Sequence, residues 1–399
     1  MAVETSRIRE GTGPLIEALP FDNAEYERRL AGVRQGMLAR GLDALLCFSP
    51  ENIYYLTAHD TPGYYFYQAS IVTHDKGPIN VLRRIEATNT LGRGWTRLAV
   101  PYGDREDPVG ITVGVLEELG LAKKTIGAEA EAWFVTPKQY SQLEAAVGHV
   151  GGRLIDASGT VEELRAIKSP AEIAYIRAAS RISELGTRTA IDASREGTDE
   201  NAVAAAAIAE MTRAGGEYGG LPAIVNSGPR TSLCHAVPGG RILERGDVIE
   251  YALPGSVKRY AGVLIRIATV GTPDPEIVRR QAAVHDAVDR VIAAIRPGAL
   301  SGDVHAISRS VMEKHGYGHL HGHRTGYSIG VAYPPDWGEG QIVSIWADDP
   351  TPLREGMTFQ LALGLFELGK YLVNMGETVL VTKDGCESLT QFSREHFVV

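Results

Sequence analysis

Cysteine and long apolar runs are both scarce in this sequence. It has three cysteines in 399 residues (Cys47, Cys234 and Cys386), and they form neither a disulfide framework nor a zinc-binding spacing. No run of about 18 apolar residues occurs, so no segment is predicted to span a membrane. The N-terminal stretch MAVETSRIREGTGPL lacks the apolar centre of a secretory signal. These absences favour a cytoplasmic protein.

An excess of positive charge is also missing. The chain has 40 Lys and Arg against 49 Asp and Glu, a net charge of −9, which argues against nucleic acid as a partner. Hydrophobic residues make up 44% and charged residues 22%, as is typical of globular proteins. A chain of this length can bury two separate cores. We therefore expect a two-domain protein that acts on a small molecule.

The first part of the chain alternates helix-like and strand-like segments. A helix is predicted from about residue 24 to Gly41, and the apolar strand DALLCFS follows it. Further strands are predicted at QASIVT, PINVLRR and TIGAEA, with a helix at ITVGVLEELG. This alternation predicts one α/β domain over residues 1–160.

The second part opens on a strong helix start. Ser169, Pro170 and Glu172 have the spacing of an N-cap, a first-turn proline and a capping box. Further helices are predicted near Thr198, Asp274 and Ser301. Strands are predicted at PAIVNS, GDVIEYALPG, VLIRIATVG, GMTFQLALGLFE and KYLVNMGETVLVT. Residues 161–399 are therefore predicted to form an α+β domain.

Six segments of the second part, in this order, are similar to motifs of the pita-bread hydrolases, which include aminopeptidase P, prolidase, methionine aminopeptidase and creatinase. They are AIKSPAEIAYIRAA, SLCHAVPGGRILERGDVI, YAGVLIRIATVG, HGHRTGYSIG, EGMTFQLALG and ETVLVTKDG. The resemblance extends to ENIYYLTAHDTPGYYFYQASIVT in the first part. It implies a pita-bread catalytic domain and a homodimer in which the N-terminal domain contributes to the neighbouring active site.

The resemblance also shows what this sequence has lost. Metallopeptidases of this fold bind two metal ions through two Asp, one His and two Glu, since divalent ions need anionic oxygens and imidazole. The positions that match those five ligands hold other residues here: Ala252, Val263, Tyr327, Ala362 and Gly376. We therefore expect no dinuclear metal site and no cofactor.

Creatinase and the ectoine hydrolases resemble this sequence more closely, because they use the fold without metals. Arg324 to Gly340 is similar to the ectoine hydrolase branch, although that branch has a glutamate at Ala252 and tends to have a histidine at Ala261. His235 matches the creatinase-like histidine, and imidazole serves as both base and acid near neutral pH. His235 is therefore the predicted general acid/base, and a packed loop histidine is the alternative.

Three further residues are candidates for the chemistry. Glu377 lies next to Gly376 and either faces the substrate or pairs with an Arg or Lys. Glu250 lies two residues before Ala252, so both share one strand face, and it either replaces the missing carboxylate or is solvent-facing or paired. The hydroxyl of Tyr327 either enters the site as a donor or weak acid or fills the space of the metals.

Candidate substrate-binding residues lie around the R-T-G motif. His323 and Arg324 open the motif, and Asp336 and Trp337 follow in the next loop. Trp337 is expected to cap the site or to pack beneath it. The histidine-rich segment has a spacing that suggests zinc, but its glycine-rich context favours loop and pocket histidines; it contains His315, His319, His321 and His323.

The N-terminal domain supplies the remaining candidates. Tyr64 and Tyr65 belong to an aromatic stretch whose faces suit a compact cation, or which forms core or dimer interface. Arg83 either binds a substrate carboxylate with two hydrogen bonds or makes an ordinary salt bridge.

Three functions are compatible with these residues. The first is a metal-independent hydrolase of a non-peptide C–N bond in a small polar metabolite, creatine-, ectoine- or amidine-like. The second is a cyclase, lyase or isomerase that uses the emptied pocket in a biosynthetic pathway, and the third is a binding protein without catalysis. A metallopeptidase is the least compatible with the five replaced positions.

Overall fold

The computed structural model describes residues 6–399. The start of the predicted N-terminal surface segment, residues 1–5, lies outside this range. The chain divides into two units, one ending at Arg165 and the other spanning Ala166–Val399. The boundary predicted near residue 160 lies a few residues before this division. Among the described residues, no helix has the length and apolar character needed to cross a membrane.

The first unit contains seven strands and six helices among its described residues. The strands are β1 (Arg9–Glu10), β2 (Ala44–Cys47), β3 (Ala69–Thr73), β4 (Ile79–Arg83), β5 (Leu98–Tyr102), β6 (Thr125–Ala128) and β7 (Arg153–Asp156). The helices are α1 (Asn23–Ala39), α2 (Pro50–Thr57), α3 (Arg84–Arg93), α4 (Pro108–Glu118), α5 (Pro137–His149) and α6 (Glu162–Arg165).

One mixed sheet organises this unit, in the order β1-β5-β4-β3-β2-β6-β7. Strands β2, β6 and β7 are parallel neighbours, while β3 is antiparallel to both β2 and β4. Strand β2, in the interior of the sheet, is fully buried, which agrees with the unbroken apolar run of its sequence. The predicted α/β class of the N-terminal domain is confirmed.

The second unit carries four helices and nine strands. The helices are α7 (Pro170–Ala193), α8 (Glu200–Arg213), α9 (Pro275–Ala294) and α10 (Ser301–Lys314). The strands are β8 (Ile224–Ser227), β9 (Val248–Val257), β10 (Tyr260–Thr269), β11 (Gly326–Ser328), β12 (Ser344–Ile345), β13 (Thr358–Glu367), β14 (Tyr371–Val381), β15 (Cys386–Ser388) and β16 (Phe397–Val398).

Seven strands of the second unit follow the order β12-β11-β13-β14-β10-β9-β8, and neighbours along this order are antiparallel. The other two strands join the same sheet, β15 beside β14 and β16 beside β10. Tyr251 and Leu253 of β9 pack with α7 and α8 in one buried cluster, and Met375 of β14 packs with α9 in another. Alternate residues of these strands face the opposite side of the sheet. The predicted α+β class is confirmed. The candidate site lies on this opposite face of the sheet.

Helix α7 begins as the sequence predicts. The Ser169 side chain accepts a hydrogen bond from the Glu172 backbone N–H, the Glu172 carboxylate accepts one from the Ser169 N–H, and Pro170 occupies the first turn. This reciprocal pair satisfies two N–H groups that the helix itself leaves unbonded. It fixes the start of the helix that packs against β9 and β10.

Candidate functional site

Strand register brings four of the five predicted ligand positions to one region of the sheet. Ala252 of β9 pairs with Ile265 of β10, Ile265 pairs with Gly376 of β14, and Gly376 pairs with Ala362 of β13. Three of the positions therefore lie in one row across the sheet. Val263 lies two residues before Ile265 on the same strand face. The fifth position, Tyr327 on β11, packs in one buried cluster with Ala252 and Val263.

The side chains that meet here are almost all apolar, and we call the group the inner cluster. Its members are Ile224, Ala252, Ala261, Val263, Ile265, Tyr327, Ile329, Ala332 and Trp337, with Leu221 and Ala362 at its margin. Alkyl side chains have no lone pair for a divalent ion. Among residues 6–399, no group of three His, Cys, Asp or Glu is arranged to hold a metal. These side chains do not fit the dinuclear centre that the fold family implies.

Neighbouring side chains crowd Gly376, the position of the second family glutamate ligand. A Cβ added there would meet the Ile265 Cδ1 and Cγ1 atoms, each at 2.7 Å, and Gln360 Nε2 at 2.7 Å. These distances are far below van der Waals contact, so a glutamate at this position requires the isoleucine to move. The Ile265 and Gln360 side chains therefore occupy the space that a metal-ligating side chain would enter.

Tyr327 contacts one aromatic and one cationic neighbour at the edge of the inner cluster. Trp337 Nε1 donates a hydrogen bond to the Tyr327 hydroxyl at 2.6 Å, and the Arg324 guanidinium lies over its ring at 4.3 Å. Burial raises the pKa of the tyrosine above its usual value, so the hydroxyl stays protonated at neutral pH and keeps its own proton to donate. Trp337 is buried, at 3% exposed, and packs with Tyr327 in the inner cluster.

His235 lies on the exposed loop that follows β8. It has a positive φ of 65°, a conformation that is uncommon for a residue with a side chain. The next residue, Ala236, accepts a hydrogen bond at 3.0 Å from Asn226 Nδ2 on β8, which ties the loop to the sheet. Burial, and then the Glu250 carboxylate, raise the pKa of the preceding Cys234. The loop therefore runs beside Glu250 and leaves the imidazole accessible.

Glu250 is 5% exposed, so it is not the solvent-facing carboxylate that was one of its two interpretations. Asn374 Nδ2 donates to its Oε1 at 2.5 Å, and Asn226 Nδ2 donates to its Oε2 at 3.2 Å. Burial, which outweighs these two hydrogen bonds, raises its pKa to about 7. As predicted from strand alternation, it lies on the same face of β9 as Ala252. It is an acidic group next to the inner cluster that titrates near neutral pH.

Glu377 occupies the other face of β14, where strand alternation places it relative to Gly376. Its Oε1 accepts hydrogen bonds from Arg266 Nη2 at 2.6 Å and from Arg394 Nε at 2.8 Å, and Thr390 donates to its Oε2. The side chain is 1% exposed. This placement favours the second interpretation of Glu377, a structural carboxylate paired with arginine.

The remaining candidates of the second unit lie around β11. His323 Nδ1 donates a hydrogen bond to the Arg324 carbonyl oxygen at 2.7 Å, and burial lowers the pKa of its imidazole. Arg324 donates to Ser344 Oγ at 3.0 Å, and Asp336 accepts from the Gly338 N–H. His321 is buried against Ser308 and the Gly364 carbonyl. These contacts agree with loop and pocket histidines.

Candidates in the first unit have mainly structural contacts. Arg83 makes a bidentate pair with Asp104, at 2.6 and 2.9 Å, which is the salt-bridge alternative of its prediction. The Tyr64 ring meets Phe134 edge-on with 5.2 Å between centroids. Tyr65 is 71% exposed, and the centroid of its ring lies 4.6 Å from that of Phe66.

Sequence reasoning missed two polar members of the site, Asn226 and Asn374. A signal for Asn374 was present, because it precedes Gly376 by two residues and so shares the face of a ligand position. Asn226 is paired directly with Glu250 in the register of β8 and β9, which the sequence does not reveal. Of the predicted residues, Glu250, Tyr327, Trp337 and Arg324 lie at or beside the inner cluster, and Glu377 faces away from it.

Comparison with known proteins agrees with this architecture. The model of metallopeptidase family M24 matches residues 174–383, and the creatinase/prolidase N-terminal domain matches residues 29–167. The X-Pro aminopeptidase from Thermotoga maritima superimposes with a TM-score of 0.80 at 24% identity, over 94% of this chain and 99% of that one.

Two sequence relatives span almost the full chain. The ectoine hydrolase of Halomonas elongata is 28% identical over 96% of this chain and 99% of its own length. An uncharacterized hydrolase/peptidase of Sinorhizobium fredii is 34% identical over 95% of this chain and 99% of its own. Because the family model covers more than half of the chain, the chain belongs to metallopeptidase family M24, with a creatinase/prolidase N-terminal domain.

Proposed function

We propose that this protein hydrolyses a non-peptide C–N bond of a small polar metabolite without a metal ion. The observation that carries the proposal is the inner cluster, where aliphatic side chains stand at positions that must supply carboxylates for two-metal peptide cleavage. The near full-length similarity to an ectoine hydrolase supports a C–N bond outside a peptide as the target.

His235 is the proposed general acid/base. The imidazole takes a proton from water as the water oxygen attacks the carbon of the amide or amidine. It then gives that proton to the leaving nitrogen as the C–N bond breaks, so that an amine and a carbonyl product form. Its accessible position on a loop held by Asn226 suits a group that must reach both water and substrate.

The Tyr327 hydroxyl is the proposed donor to the developing oxyanion. It remains protonated because burial raises its pKa, and the hydrogen bond from Trp337 fixes its oxygen while leaving its proton available. A preorganised donor of this kind typically contributes about 10²–10³ in rate.

The test combines metal analysis with turnover. Purified protein is analysed for bound metals and assayed with and without a chelator on cyclic amidines, guanidino acids and N-acylated amino acids. The proposal expects less than stoichiometric metal and chelator-resistant hydrolysis of at least one compound. Stoichiometric Mn, Co or Zn with chelator-sensitive cleavage of an X-Pro dipeptide would overturn it.

Two variants then test whether His235 is the general acid/base. His235→Ala is expected to lower turnover by about 10²–10⁴, the usual contribution of general acid–base catalysis. The exposed histidine His319, replaced by alanine, is the matched control and is expected to retain full turnover. Equal activity of the two variants would remove His235 from the mechanism.

A further inference from the structure

A buried polar group beside the inner cluster has unmet hydrogen-bonding capacity. It consists of Glu250 on β9, Asn226 on β8 and Asn374 on β14, and we call it the acceptor triad. The three side chains are 5%, 0% and 9% exposed. Each asparagine donates its amide N–H to the glutamate, at 3.2 Å from Asn226 and 2.5 Å from Asn374.

The carboxylate of the triad has no counter-charge from residues 6–399. Among the described residues it makes no ion pair, and its pKa is shaped by burial and the two amide hydrogen bonds without a contribution from any cation. Two other buried carboxylates of this unit contrast with it, since Glu377 pairs with Arg266 and Glu339 pairs with Lys168 at 2.8 Å. Burying an ionised carboxylate without a partner is costly, so a cation that arrives here is strongly favoured.

Both amide oxygens of the triad also lack a hydrogen-bond partner. Asn226 Oδ1 and Asn374 Oδ1 are buried, and neither accepts a hydrogen bond from the described residues. The orientation of Asn226 is fixed, because its Nδ2 donates both to Glu250 and to the Ala236 carbonyl. Its oxygen must therefore point away from both. An unpaired buried acceptor costs about 1–3 kcal/mol, and a donor from a ligand recovers that free energy.

The position of the triad relates it to the site. Glu250 and Asn374 each precede by two residues a position of the inner-cluster row, Ala252 and Gly376, on the same strand face. Asn226 also holds the loop of His235 through Ala236. The triad therefore lies between the apolar inner cluster and the loop that carries the proposed acid/base.

We propose that Glu250, Asn226 and Asn374 form a substrate subsite for a cationic group with several N–H donors, of the amidinium or guanidinium class. A planar cation of this kind supplies one charge to the carboxylate and N–H groups to the two amide oxygens. The inference rests on the proposed function, because it names the part of the substrate that this site recognises.

The test compares two probes that differ in charge and hardly in shape. Guanidinoacetate carries the cation, and ureidoacetate has a neutral carbonyl oxygen in place of one NH2 group and its two N–H donors. Calorimetric titration of the full chain at pH 8 is expected to show at least about tenfold tighter binding of guanidinoacetate, the ratio that about 1.4 kcal/mol of charge-assisted hydrogen bonding gives. Equal affinity, or no binding of either probe at millimolar concentration, overturns the proposal.

The variant Glu250→Gln keeps the shape of the side chain and removes its charge. It is expected to abolish the preference for guanidinoacetate, whereas Glu355→Gln, an exposed glutamate of the same unit, is the control that retains it. A preference that survives in Glu250→Gln overturns the proposal. Circular dichroism and the melting temperature establish that each variant is folded.

A measurement on the unaltered protein covers the case in which the Glu250 variant does not fold. A cation can bind only the ionised carboxylate, so near pH 6.5 binding of guanidinoacetate is expected to release protons from the site. Titrations in two buffers of different ionisation enthalpy measure this release, and ureidoacetate is the control without it. Binding of guanidinoacetate with no proton release contradicts the subsite.

Failure of the subsite and failure of the proposed function give different results. Selective binding of guanidinoacetate without hydrolysis of any compound retains the subsite and rejects the hydrolase. Metal-independent hydrolysis that is equal in the wild type and Glu250→Gln, with no preference between the probes, retains the hydrolase and rejects the subsite.

Discussion

Arg266 and Glu377 form an ion pair in the interior of the second unit, with Arg266 Nη2 2.6 Å from Glu377 Oε1 and both side chains 1% exposed. The glutamate is also bonded to Arg394 and Thr390, and the guanidinium donates to the Gly376, Phe392 and Ser393 carbonyls. The pair joins β10, β14 and the C-terminal segment. Its role is to hold together the strands that carry the inner cluster.

Glu377→Gln should therefore lower stability strongly. The substitution leaves the buried charge of Arg266 without its main partner, which costs about 3–5 kcal/mol in the free energy of unfolding. Glu387→Gln removes a carboxylate from the half-exposed pair with Arg177 and should cost about 1 kcal/mol or less. Urea denaturation of both variants measures the difference, and equal losses would contradict the structural role of Glu377.

Val263→Asp restores a carboxylate at a family ligand position without restoring a site. Val263 is fully buried in the inner cluster, so an ionised aspartate there should cost about 3–5 kcal/mol, against about 2 kcal/mol for the control Val263→Ala. Because burial raises the pKa of such a carboxylate, the loss should grow as the pH rises. Thermal denaturation with and without Mn²⁺ is the measurement, and a metal-dependent gain in melting temperature would refute the expectation.

Tyr327→Phe removes the acceptor of the buried Trp337 N–H. The expected loss is about 1–3 kcal/mol, the usual cost of a buried donor left unpaired. Tyr65→Phe, at an exposed ring, should change stability by about 0.5 kcal/mol or less. Chemical denaturation separates the two. If Tyr327 also donates to the substrate, turnover of the folded Tyr327→Phe protein falls, while unchanged turnover restricts the residue to packing.

Glu250 should make stability depend on pH. Its pKa is raised from 4.5 to about 7 in the folded protein, mainly by burial, so between these values the folded state holds a proton that the unfolded state has lost. The stabilisation is complete below pH 4.5 and is lost as the pH rises toward 7. Comparing unfolding free energies of wild type and Glu250→Gln across this range should show the wild type losing stability relative to the variant. A constant difference between them would show that Glu250 does not titrate in this range.

Much of the second unit follows from local sequence signals. The capping box at Ser169 and Glu172, the prolines in the first turns of α7 and α9, and the uninterrupted apolar runs of β9 and β10 each act over a few residues. Such signals depend on backbone hydrogen bonding and side-chain alternation within one segment. The helix starts and the strand positions were predictable for this reason.

The roles of the acidic residues were not predictable in the same way. Glu377 and Glu250 both lie in apolar strands, and alternation alone indicates only which face each one occupies. The partner of Glu377 is 111 positions away, and Asn374 is 124 positions from Glu250. Whether a carboxylate meets a guanidinium or an amide depends on which strands become neighbours.

The sequence by itself determined the elements and the two-domain division, because these follow from residue identity and local periodicity. Its resemblance to the pita-bread hydrolases implied that other residues stand at the five ligand positions. Only the tertiary structure decided that those positions close into an apolar cluster, that Glu377 is neutralised by arginine, and that Glu250 is buried with no cationic partner in the described part of the chain. Charge compensation is a property of groups brought together across the sheet, and it exists only once the strands have paired.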